Sequence, residues 1–180
     1  MQTVITLVLS NFTITFLVIG LVCALISMSR APKPLSREAI AERLLFQYLF
    51  FGIGMTFLYN SIMHTVFGEM TARFIGWADS PFQREVGFAS LGFAAVGFLA
   101  GWCGRDARLA AILGPALFLW GAAGGHVYEM ITADNFAPGN AGTILWTDIF
   151  APVVGFVLLW LRYGGVFRAV PAAAQGSRIA

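Results

Sequence analysis

Two histidines and a handful of carboxylates carry most of the chemistry that this sequence can offer. In the stretch GAAGGHVYEM (121–130), His126 and Glu129 stand three residues apart. On a helix that spacing puts both side chains on one face, as a chelate requires. His64, Glu85 and Asp148 lie in three other apolar runs. Two imidazoles with several carboxylates form the donor set of a divalent transition metal such as Zn, Mn or Fe. His64, His126 and Glu129 are the candidate metal ligands. Together with Glu85 and Asp148 they are also the candidate contacts for a small ligand, with Asn60, Arg84, Glu69 and Tyr128 placed around them. The match to helix-bundle di-metal sites is partial, because only one Glu/His pair is present and its order is reversed. A bis-histidine haem between His64 and His126 fits less well, since its propionates would have only Arg73 and Arg84 nearby. A metal-free hydrogen-bonded network of the same residues stays open beside these, as does simple helix pairing. There is no phosphate loop, HExxH, GxSxG or dinucleotide fingerprint, and two histidines are too few for a His-box oxygenase. Nothing here argues for catalysis.

The elements that must hold these groups are membrane helices. Of 180 residues, 58% are hydrophobic and 11% charged, with mean hydropathy +0.78. A soluble domain carries about a quarter charged residues. Apolar runs of the roughly 20 residues needed to cross a hydrocarbon core predict an all-α, five-helix transmembrane bundle, with spans at about 3–28, 44–67, 82–102, 108–131 and 143–162. Residues 1–166 form one domain and 167–180 a flexible tail. The first run has no basic leader and is too long for a signal peptide, so it reads as a retained helix. Ser36 caps the aqueous start of the second helix. SPFQ (80–83) reads as a capping box with Gln83 at its third position, and Asp106 as the cap of the fourth helix. Cys23 and Cys103 read as buried structural thiols. A net charge of +2, spread over loops, excludes nucleic acid as a partner.

Basic residues orient the bundle. Arg30, Lys33, Arg37, Arg43, Arg105, Arg108, Arg162, Arg168 and Arg178 fall on one side, leaving only Arg73 and Arg84 opposite. By the positive-inside rule the N-terminus is outside and the C-terminus cytoplasmic, in a bacterial inner membrane. His64, Glu85, His126, Glu129 and Asp148 then share the outer half. Small residues beneath them, including the stripe Ala89, Gly92, Val96 below Glu85, point these groups toward neighbouring helices. Between helices 2 and 3, Phe67, Met70, Phe74 and Trp77 recur at helical spacing while Glu69 and Arg73 pair at i,i+4. That pattern predicts a short interfacial helix lying over the site as a lid.

The runs WADSPFQREVGFASLGFAAVGFLA and LGPALFLWGAAGGHVYEMITADNFAPGNAGTILWTDI resemble a bacterial family of small integral membrane proteins of unknown function, over about residues 45–162. The resemblance implies a membrane location and no activity, ligand or site residue. The resulting expectation is a lipid-embedded protein with an outer polar pocket for a metal ion or small ligand. The alternatives are an accessory subunit that docks a membrane-protein partner or a second copy of itself, and a small transporter.

Overall fold

The structure, a computed structural model, describes residue 7 and residues 10–164; the start of the predicted first helix and the tail at 167–180 lie outside these. Every regular element among the described residues is helical. In chain order they are α1 (Phe12–Ser29), α2 (Arg37–Gln47), a π-helical stretch (Tyr48–Met55), α3 (Thr56–Val66), α4 (Gly68–Ile75), α5 (Phe82–Ala100), α6 (Arg105–Ala133), α7 (Pro138–Ala141) and α8 (Thr143–Tyr163). Among the described residues, four helices are long and apolar enough to cross a membrane: Phe12–Ser29, Arg37–Val66, Arg105–Ala133 and Pro138–Tyr163. The shortest of them, at 18 residues, spans about 27 Å at the helical rise per residue. Ile14, Val18, Leu21, Val22 and Leu25 of α1 are all exposed. Such a stripe is untenable in water and suits contact with lipid.

Helix boundaries follow local chemistry, with three differences from the sequence expectation. The Ser36 side chain accepts from the Ala39 N–H and starts α2 as anticipated. Asp106, however, sits in the first turn of α6, and Gly104 occupies the cap. Gln83 makes no capping box either: Pro81 is the cap of α5, and the Gln83 side chain is spent on α3. Neither cysteine is buried as expected, Cys23 being part-exposed and Cys103 exposed, and neither is in a disulfide.

The core runs through Leu45, Leu49, Ile53 and Phe57 along the second long helix, packed on Ala94, Ile112 and Leu159. The face that α5 presents is Gln83, Gly87, Ser90, Ala94 and Gly97. A Cβ at Gly97 would lie 2.7 Å from Ile53 Cγ2 and 2.8 Å from the Gly54 backbone nitrogen, so the two helices touch backbone to backbone. Gly97→Leu is therefore expected to cost about 2 kcal/mol by overpacking. A lowered unfolding midpoint in mixed micelles would check this, with Gly92→Leu, where a Cβ meets open space, near wild type.

Candidate functional site

The C-terminal end of α6, helix α7 and the N-terminal end of α8 enclose a polar cluster under the segment that follows α4. Asn140 of α7 is fully buried and His126 and Asp148 nearly so, at 4% and 6% exposure. The Asn140 amide nitrogen donates to the main-chain oxygens of His126 (3.1 Å) and Asn135 (2.8 Å). Both of its hydrogens are thereby used, and the amide orientation is determined. Its Oδ1 accepts from Trp77 Nε1 at 3.2 Å and faces His126 Nδ1 at 2.7 Å. Since Oδ1 can only accept, His126 must carry a hydrogen on Nδ1. The other ring nitrogen, Nε2, lies 3.7 Å from Asp148 Oδ2, within ion-pair range and longer than a direct hydrogen bond.

The net charge buried at the His126–Asp148 pair depends on the number of protons between its two facing atoms. With none between them, a nitrogen lone pair confronts a carboxylate in a buried place. With two, a net positive charge is buried. With one, either a neutral acid faces a neutral ring or a carboxylate faces an imidazolium, and the pair is neutral overall.

The cover over the pair is tied down from two sides. The Trp77 ring sits 5.5 Å from the His126 ring, centroid to centroid. The chain reaches Trp77 through Gly76, whose φ of 79° is the left-handed conformation that glycine adopts without strain. The Asn135 amide donates to the Ile75 and Gly76 carbonyls at 3.1 and 3.2 Å, joining the end of α4 to the α6–α7 connection. On α4 itself, Glu69 and Arg73 form the anticipated i,i+4 pair at 2.9 Å, fully outside the cluster and exposed.

The other sequence candidates lie elsewhere. His64 Nδ1 meets Gln83 Oε1 at 2.5 Å, and Asn60 donates to Ser90 at 2.9 Å, so both tie α3 to α5. Glu85 and Arg84 are exposed. Glu85 is two residues, or about 200° of helix rotation, from Gln83 on the buried face. Its stripe of Ala89, Gly92 and Val96 faces outward rather than toward a neighbour. Glu129 is part-exposed one turn beyond His126, and Tyr128 is exposed. Among the described residues, no three His, Cys, Asp or Glu side chains gather closely enough to hold a metal ion. His64, His126 and Glu129 thus form no common ligand set, because His126 turns toward α7 and α8 while His64 turns toward α5. In GAAGG, Gly121 and Gly124 meet open space, and only Gly125 has a neighbour, Trp77, near its missing Cβ.

Residues that the sequence reading passed over form a second cluster at the opposite end. Arg108 of α6, 5% exposed, uses all five of its N–H groups. Nη1 and Nη2 grip the Glu42 carboxylate at 2.8 and 2.7 Å, Nε and Nη2 reach the Ala100 and Gly101 carbonyls, and Nη1 reaches the Tyr163 hydroxyl. Arg162 of α8 donates to the same Glu42 at 2.5 Å. One carboxylate thus joins α2, α6 and α8, and the α5–α6 turn is tied to it through Arg108.

The chain belongs to a family of unknown function (DUF6790), whose model matches residues 10–165. No curated protein and no solved structure matches it.

Proposed function

We propose that this DUF6790 member crosses a bacterial inner membrane five times, N-terminus outside, and works as a proton-responsive membrane protein through the His126–Asp148 pair in its outer half. The topology is supported by the basic residues, since Arg108, Arg162 and the turn around Arg105 meet at one end of the bundle. Helix α5 supplies the fifth crossing, and α4 lies in the outer interface with Phe67 and Met70 exposed. The observation that carries the function is the tautomer imposed by Asn140.

The response follows from counting hydrogens. While the pair holds its proton, Nδ1–H serves Asn140 and nothing contests it. When that proton leaves, the ring keeps a single hydrogen, and the Asp148 carboxylate competes for it at Nε2. A hydrogen drawn to Nε2 leaves a bare Nδ1 against Asn140 Oδ1 at 2.7 Å, acceptor against acceptor. Asn140 then loosens, and with it the Trp77 cover. Among the described residues, Tyr48 of the π-helical stretch lines a cavity with Asp148, its hydroxyl spent on the Ala151 carbonyl, and Glu129 lies one turn beyond His126 on α6, part-exposed. Rising pH opens the cover and falling pH closes it.

Acrylamide quenching of Trp77, obtained as the difference between wild type and Trp77→Phe in nanodiscs, tests this. Quenching is expected to increase as pH rises and to become flat in Asp148→Asn. Equal quenching at both ends of the titration, or an unaltered response in Asp148→Asn, would overturn the reading.

A further inference from the structure

The basic end of the bundle carries an open groove that the Arg108 cluster does not use. It runs between α1 and α2, lined by Cys23, Ile26 and Ser27 of α1, by its cap residue Arg30 and the turn after it, and by Arg43 of α2. Its volume, about 590 Å³, falls among ligand sites of roughly 300–1,000 Å³.

The two arginines of the groove are not spent on the chain itself. Arg108 uses all five of its N–H groups, whereas Arg43 makes one side-chain hydrogen bond among the described residues, from Nη1 to the Ala39 carbonyl at 3.2 Å. Its Nε is buried and has no partner. A buried donor left unpaired is costly, so this site wants an acceptor that the chain does not supply. Among the described residues no carboxylate pairs with Arg30 or Arg43. The nearby acids are turned elsewhere: Glu42 is held by Arg108 and Arg162, and Glu38 sits with Ser36 and Arg37 at the start of α2. The carbonyls that end α1 would repel an anion, but they are already answered. Ile26 accepts from the Arg30 N–H and the Ser29 hydroxyl, and Met28 from the Ala31 N–H and the Lys33 ammonium.

The α1 wall changes character along its length. Below Arg30 and Ser27, the same helix face continues through Ile26, Val22 and Ile19, all three exposed. The rise from Arg30 to Ile19 is about 16 Å, which matches one leaflet of a hydrocarbon core roughly 30 Å thick. Positive charge at the rim above an apolar wall of that depth fits an amphiphile with an anionic head.

We propose that this groove binds one anionic phospholipid, its phosphate between Arg30 and Arg43 and an acyl chain along Ile26, Val22 and Ile19. A free phosphate would use the arginines and leave the apolar wall empty. A zwitterionic headgroup would bring its own ammonium up to Arg30 and Lys33. The lipid ties α1, the least buried of the four long helices, to α2. The groove lies at the end that carries Arg108 and Arg162, so its assignment to the cytoplasmic leaflet rests on the topology above, and the binding itself does not.

Native mass spectrometry of the full chain, released from micelles holding equal amounts of phosphatidylglycerol and phosphatidylcholine with the same acyl chains, reads the occupant. One retained phosphatidylglycerol, favoured about tenfold or more over phosphatidylcholine, is expected. Arg30→Gln and Arg43→Gln should each lower that preference about fivefold by removing one charge, and Arg30→Lys should keep most of it. Arg30 is exposed, so its variants report on binding rather than folding. Equal retention of the two lipids, or a preference unchanged when both arginines are glutamine, would overturn the site. Displacement by inorganic phosphate at the lipid's own concentration would give the groove to a free anion and overturn the lipid. The leaflet is read separately, from maleimide labelling of the exposed Cys103 in a Cys23→Ala variant. Labelling only after right-side-out vesicles are opened is expected, and labelling of sealed ones would overturn the leaflet while the mass measurement still decides the lipid site.

Discussion

Asn140→Leu, close to isosteric and more apolar, is expected to destabilise the protein by about 3 kcal/mol or more and to expose Trp77 at every pH. Asparagine at this buried position makes four hydrogen-bond contacts, two as donor and two as acceptor. Leucine replaces none of them, so Trp77 Nε1, His126 Nδ1 and two carbonyls lose their partner together. Each buried polar group left unpaired costs about 1–3 kcal/mol, and relaxation toward the interface recovers part of the sum. Unfolding in mixed micelles reads the stability, and quenching of Trp77 reads the cover. If Asn140→Leu unfolds like wild type, Asn140 does not hold this end of the bundle. Asn140→Asp is the informative companion. Its carboxylate can still accept from Trp77 and His126, but it cannot donate to the two carbonyls, so a partial loss is expected.

Arg108→Met is the second large effect, at the other end of the molecule. The guanidinium is buried, and its five N–H groups serve Glu42 twice, two carbonyls at the end of α5, and Tyr163. Methionine of similar reach leaves Glu42 with Arg162 alone and strands the Ala100 and Gly101 carbonyls. Breaking a buried pair by removing one partner costs about 3–5 kcal/mol. Glu42 is about one-third exposed at its side chain, which screens the interaction, so the lower end of that range is expected. Arg108→Lys should recover little, because an ammonium has three hydrogens and no planar fork. Glu42→Gln and Arg108→Met should be strongly non-additive, since both remove the same contact. Equal unfolding midpoints for Arg108→Met and wild type would remove the cluster from the account.

These two residues also mark where sequence reasoning stopped. Arg108 entered it as a charge that oriented the bundle, and nothing in its neighbourhood of the chain pointed to Glu42, 66 residues away. Asn140 sits in the polar turn NFAPGNAG, where an asparagine is ordinary. Only three-dimensional closure of α7 onto α6 buries it. Other features were legible. Asp148, Pro152 and Gly155 do lie buried on one face of α8, and α4 does carry Glu69 and Arg73 on its exposed side. Helix α5 shows how the reading failed locally. It offers two small-residue stripes, one through Gly87, Ser90, Ala94 and Gly97 and one through Ala89, Gly92 and Val96. Choosing the second placed Glu85 inside, whereas the first is the buried one. Composition cannot choose between two such stripes; the polar partners of Gln83 and Ser90 on α3 do. The π-helical stretch left no periodicity signal either, because Tyr48–Met55 is apolar all round.

The most direct test of the central claim is nitrogen NMR of the histidine rings in nanodiscs. The chain has two histidines, so a His64→Gln variant isolates His126. At the acid end of the titration, Nδ1 of His126 should carry hydrogen. As pH rises and the pair loses its proton, the ring hydrogen should move toward Nε2 in wild type and remain on Nδ1 in Asp148→Asn. A ring whose Nδ1 is bare throughout, or whose titration is the same in Asp148→Asn as in wild type, would contradict the shared proton and the pH-gated cover built on it.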